Sequence, residues 1–376
     1  MNVSDISRDL FMLHGALSKK GYDWWWHSFT GVNRATGAEK AFFVEYFVVN
    51  PALGRAEPVF GQLPGGAKPS YLMVKVGAWG ADARQLHRFF PICEARIASD
   101  RLEVTAGDCF LSEKSMKGSV SVSAADAKAH PEWMSDAGTM EWNLAIDKKI
   151  AFNVGYGASA PFRKLNSFEM FWHAEGMKTL YSGTVTLDGE SFDIIPEQSF
   201  GYADKNWGGD FTSPWVWIGS ANLKSLVTGK QLENSAIDIG GGRPKAFGIS
   251  LPRRLLMDFF YEGTDYEFNF AKFWTRTKTT FDAGEREGEI YWTIATRNRI
   301  AEMEVRCTCP KKDMLLVNYE APNGKKLHNR LWNGGTGTGE IALYRGHGKK
   351  RVLVDRVEMR NVGCEWGEYA PVKTAP

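Results

Sequence analysis

No stretch of this 376-residue chain approaches the roughly 20 consecutive apolar positions that a helix needs to cross a bilayer. Its opening residues carry Asp5 and Asp9 where a secretory signal would be basic, and no long apolar run follows them. Net charge is only +2, from 46 basic and 44 acidic residues. That balance excludes the basic footprint of a nucleic-acid binder and any general attraction to membranes, while leaving room for transient membrane contact. The five cysteines, Cys93, Cys109, Cys307, Cys309 and Cys364, are an odd number and too few for a disulfide framework. They point to a reducing, cytoplasmic setting.

Catalytic signatures are scarce as well. There is no Gly-x-Ser-x-Gly elbow and no His-Glu-x-x-His pair. Gly240-Gly241-Gly242-Arg243 lacks the Lys-Ser/Thr and the strand-to-helix context of a phosphate loop. Gly334–Gly339 reads as a loop between strands. Cys307-Thr308-Cys309 has no second Cys or His pair at ligand spacing. Neither a metal nor another cofactor is expected. Helical periodicity is confined to Ile6, Leu10, Leu13 and Leu17, which could line a short N-terminal helix before Gly21.

What the chain does have is period-two patterning and aromatic mass. Met140, Trp142, Leu144 and Ile146 alternate with Glu141, Asn143 and Ala145, as do Ala301, Met303 and Val305 with Glu302, Glu304 and Arg306. Tyr181–Leu187 and Ser191–Ile195 flank Asp188-Gly189, a preferred centre for a tight hairpin turn. Many short strands at this spacing predict a mainly β protein of antiparallel barrels or sandwiches. The length predicts two such domains, set at residues 1–200 and 201–376, with a Gly-rich aromatic junction at Gly201–Trp217. Aromatic residues make up 13% of the chain, 14 of them Trp. That surplus suits an aromatic-lined cavity for a hydrophobic small molecule.

One segment carries a more specific signal. Phe171–Leu223 runs from an aromatic strand through a Gly-Thr hairpin to Tyr202-Ala203-Asp204-Lys205-Asn206-Trp207-Gly208 and then Pro214-Trp215-Val216-Trp217. This succession resembles that of the tocopherol cyclases. Weaker echoes are Tyr22–His27 before Phe42–Pro51, and Val357–Trp366 near the C-terminus. The resemblance implies two packed lipocalin-like β domains with an apolar pocket near their junction. It also implies acid-catalysed cyclisation or related chemistry on a prenyl or polyene chain, without a redox cofactor.

Such chemistry needs a carboxylic acid that keeps its proton, aromatic faces beside a developing cation, and a group that orients the oxygen nucleophile. Asp204 is the leading acid, with Tyr202, Asn206 and Trp207 around it; the competing reading makes it a turn cap, with Lys205 in solvent. Glu45, in the apolar strand Phe42–Val49, is a second acid if it faces inward and ordinary if it faces water. His173 and His27 could donate to a ligand or be satisfied core histidines, with Asp23 a candidate partner for His27. Trp24, Trp26, Trp215 and Trp217 are pocket walls or core. The leading function is a cofactor-independent cyclase or isomerase; the rival is a non-catalytic carrier of a lipid, quinone or pigment.

Overall fold

Tyr22–Asn33, which contains the triple tryptophan, is a strand covered on both faces. Successive strand side chains leave on opposite sides. Trp25 and Phe29 therefore enter one apolar cluster with Val44, Val74, Leu144 and Val185. Tyr22 and Trp26 enter another with Phe47, Met73, Trp172 and Trp217. A third cluster gathers Ile239, Met257, Val305 and Met359. In this computed structural model, residues 4–63, 65–154, 161, 164, 165, 167–346 and 348–371 are described.

The three clusters follow from two sheets. Twelve strands between Tyr22 and Gly208 form the first, and eleven between Trp215 and Pro371 form the second. The first curls until Arg84–Phe90 meets Ser115–Val122, where Arg88 Nη1 donates to the Ser119 carbonyl at 3.1 Å. The fold is mainly β, a barrel sheet beside a half-barrel sheet. The first and third clusters fill the two interiors, and the second lies between the sheets. Stacked pairs such as Trp26 on Phe43, 5.1 Å apart, tie that middle layer, each worth about 0.5–1.5 kcal/mol beyond area burial.

The hairpin joining Met170–Leu187 to Glu190–Ile194 turns at Asp188 and Gly189, at φ 48° and 85°, as Asp-Gly predicts. The chain leaves the first sheet after Gly208. Gly201–Gly208, just past the expected boundary, is a first-sheet strand between Tyr22–Asn33 and Met170–Leu187.

Two expectations are corrected. The N-terminal helix is replaced by 3₁₀ turns at Ile6–Arg8 and Gly15–Lys19. Asp5 caps the first, and the Met12 amide donates to Asp23 at 2.7 Å, drawing the segment across the sheet so that Leu13 and Leu17 plug its interior. Gly334–Gly339 is not a loop but lies inside the strand Lys326–Arg345. A Cβ on Gly335 would sit 2.2 Å from the Trp79 ring, and one on Gly240 would sit 2.7 Å from Trp172. These glycines are flat places on the second sheet, where aromatic rings of the first half rest.

Candidate active site

Residues of one parity on adjacent strands converge between the sheets. Tyr202, Asp204 and Asn206 share a face of Gly201–Gly208. Opposite them on the neighbouring strand, Trp26 faces Asp204 and Trp24 faces Asn206. From the second sheet come Trp215 and Trp217, Glu365 across from Trp217, and Tyr319. Together these nine side chains line a narrow cavity with about 20 Å³ of free space.

Its polar groups form a chain. Asp204 Oδ2 accepts from Trp172 Nε1 at 2.9 Å and lies 3.3 Å from the Tyr202 hydroxyl. That hydroxyl lies closer, 3.1 Å, to Asp238 Oδ2, whose other oxygen accepts from Trp217 Nε1 at 2.9 Å. Glu365 accepts from Trp215 Nε1 at 2.6 Å and Asn333 Nδ2 at 2.7 Å. Three buried polar atoms of lining residues have no hydrogen-bond partner: Asp204 Oδ1, Asn206 Nδ2 and Trp26 Nε1. An unmet buried polar atom costs about 1–3 kcal/mol.

Burial controls the protons. It raises the Asp204 carboxyl well above its ordinary value, with the charges of Asp238 and Glu365 pushing the same way and the Trp172 hydrogen bond opposing them. Burial lifts Asp238 to about 8 against the donors Trp217 and Tyr202, and Glu365 to about 7 against Asn333 and Trp215. Asp204 is thus biased toward its neutral form, while Glu365 titrates near neutrality.

A larger apolar pocket of about 90 Å³ adjoins this cavity, lined by residues that include Phe168, Met170, Phe171, Trp172, Trp215, Leu256 and Phe270. Trp215 lines both spaces. The Trp172 and Trp215 rings meet edge to face at 6.2 Å, and each sends its indole N–H to an acid of the smaller cavity.

Tyr202, Asp204, Asn206, Trp24, Trp26, Trp215 and Trp217 therefore come together as lining residues. Asp204 is in mid-strand, not a turn, so it caps no turn amide, and Lys205 is buried, not solvated. Lys205 pairs with Asp23 on the far face and stands 4.1 Å over the Trp25 ring. Glu45 faces inward and fully buried. It meets Lys75 at 3.2 Å and the Tyr319 hydroxyl at 3.0 Å, so Tyr319 stands between it and the cavity.

His27, His173 and Trp207 do not join the site, because each lies an odd number of positions from a cavity-facing neighbour on its own strand. Trp207 stacks on Phe171 at 5.4 Å. His27 Nδ1 meets the Tyr181 hydroxyl at 2.8 Å rather than Asp23. His173 Nε2 lies 3.2 Å from Asp9 and 3.0 Å from Ser4. Burial lowers both histidines to about 3, so both are neutral near pH 7. Beside His173, carboxylate oxygens of Asp9, Glu113 and Glu175 lie within 4.8 Å of one another. Lys148 Nζ is 2.8 Å from both Glu113 and Glu175 and already supplies a cation there.

Sequence reasoning missed Asp238, Glu365, Tyr319 and Trp172. Asp238 stands among apolar residues in Ala236–Gly242, the same signal that drew attention to Glu45.

Fold and site together define a mainly β protein with a deeply buried carboxyl in an aromatic cavity. Residues 110–368 match the tocopherol cyclase-like family model, and the chain belongs to that family. Over 167 residues it is 29% identical to the chloroplastic tocopherol cyclase of Zea mays. That match covers 44% of this chain and 31% of the maize protein, so the chain spans about a third of that relative's length. Among solved structures, kievitone hydratase from Nectria haematococca is similar at 12% identity and TM-score 0.45, covering 97% of this chain and 96% of that one. CghA, solved with Sch210972, is similar at 9% identity and TM-score 0.46, covering 93% and 89%. Among the described residues, no helix is long and apolar enough to cross a membrane.

Proposed function

We propose that this chain is a cofactor-independent cyclase that protonates a double bond of a hydrophobic prenyl or polyene substrate. The observation that carries this reading is Asp204: a buried carboxyl, biased by burial toward its neutral form, whose Oδ1 is unpartnered, in a cavity walled by Trp24, Trp26, Trp215 and Trp217. The substrate's apolar tail occupies the pocket of Phe168, Met170 and Leu256, and its reactive end passes Trp172 and Trp215. The Asp204 proton adds to one alkene carbon, leaving a tertiary cation on the other. Aromatic faces stabilise that cation by about 0.5–2 kcal/mol each. Asn206 Nδ2 orients a substrate hydroxyl, which forms the new C–O bond, and Glu365 takes up the hydroxyl proton. One proton enters and one leaves, so the reaction is an isomerisation.

Asp204→Asn tests this. It keeps the shape and removes the transferable proton, so turnover of a prenylated quinol or conjugated polyene should fall about 10²- to 10⁴-fold with binding retained. Near-normal turnover in the folded variant would remove Asp204 as the acid. Tight binding without turnover by the unmutated protein across prenyl and polyene lipids would make it a carrier.

A further inference from the structure

Around the mouth of the apolar pocket, large apolar side chains face water. Phe247 and Ile249, 67% and 69% exposed, lie on the small hairpin of Lys245–Ala246 and Ile249–Ser250. The hairpin springs from Pro244, a pocket residue, and is anchored where the Phe247 amide donates to the Ser167 carbonyl at 2.8 Å. Phe273 and Trp274, 82% and 49% exposed, form the 3₁₀ turn directly after the pocket residues Phe270 and Ala271. Isolated exposed apolar residues are ordinary, but two loops framing one apolar pocket and each ending in exposed aromatic or aliphatic tips are not.

Charge on the same loops is one-sided. Residues 239–257 and 268–281 contain Arg243, Lys245, Arg253, Arg254, Lys272, Arg276 and Lys278 and no acidic residue, in a chain of net charge +2. Lys245 and Lys272 are matched by Glu169 and Glu267. The remaining arginines and Lys278 leave the rim basic.

We propose that this rim docks on an anionic lipid surface. Phe247, Ile249, Phe273 and Trp274 insert among the acyl chains, the basic residues meet lipid phosphates, and the pocket opens toward the hydrocarbon. An apolar substrate dissolved in the bilayer then enters without crossing water. The proposal rests on the reading of that pocket as a hydrophobic-ligand site, and its test separates the two.

Flotation with vesicles of phosphatidylcholine containing one-third phosphatidylglycerol measures the docking. Each inserted ring strengthens partitioning by about tenfold or more, and each basic residue near the surface by about fivefold. Phe247→Ser/Phe273→Ser/Trp274→Ser should therefore weaken vesicle binding at least about a hundredfold. Arg243→Glu/Arg276→Glu/Lys278→Glu should abolish the anionic preference. Brominated lipid should quench less fluorescence in Trp274→Phe than in the parent. Both rim variants should retain turnover of detergent-solubilised substrate, whereas Asp204→Asn should lose turnover and still float. Absence of parent binding to these vesicles, or undiminished binding by the Ser variant, overturns the docking surface and leaves the pocket reading standing.

Discussion

Replacing Asp238 with Asn should stabilise the protein, and by more as the pH rises. In the unfolded chain this carboxyl releases its proton near the ordinary 3.8; folded, it holds it up to about 8. Between those values the native state binds the extra proton, so stability is lost with rising pH through the window and levels off above it. Each pH unit inside the window costs about 1.4 kcal/mol, or about 4 kcal/mol between pH 5 and pH 8. Asn fits the same contacts: its Oδ1 accepts from Trp217 Nε1, and its Nδ2 faces the Tyr202 oxygen, whose hydrogen turns to Asp204 at 3.3 Å. Having no proton to lose, Asn escapes the penalty. Urea unfolding at pH 5, 6, 7 and 8 should show the advantage of Asp238→Asn over the parent growing at each step. That advantage should widen by about 4 kcal/mol between pH 5 and pH 8. Parallel lines for the two proteins would refute the claim that Asp238 folds as a neutral acid.

Gly240→Ala should push the Trp172 ring off its resting place, since the new Cβ would stand 2.7 Å from it; a loss of about 1–3 kcal/mol is expected in thermal unfolding, with reduced turnover because Trp172 also holds Asp204. Lys75→Met should strand the buried Glu45 and cost about 3–5 kcal/mol, and adding Glu45→Leu should recover most of it. A double-mutant cycle measures that coupling, and strictly additive losses would show that the pair does not interact.

Part of the site was legible because strand geometry is simple. Once Gly201–Gly208 is a strand, Tyr202, Asp204 and Asn206 must share a face, and its period of two equally removes Trp207. Reading the same block as a turn obscured that rule. The orientation of Glu45 was undecidable from pattern, because its strand is apolar on both sides; a burial code depends on one wet face, and Phe42–Val49 has none. Asp238 and Glu365 were hidden for another reason. They reach the site from the second sheet, and nothing local tells a strand which residues will meet it from a different sheet. The Gly334–Gly339 run was misjudged as a loop because its partner, Trp79, is also remote in sequence.

The hydrogen bond from Tyr202 to Asp238 links a residue of the first sheet to one of the second. Burial between the two halves is the main force that raises the Asp204 carboxyl above its ordinary value. The acid is therefore a property of the seam rather than of the polypeptide that carries it. A half separated between Gly208 and Trp215 would expose Asp204 to solvent as an ordinary ionised aspartate, silent as a proton donor. In the proposed reaction, assembly of the two halves is what arms it.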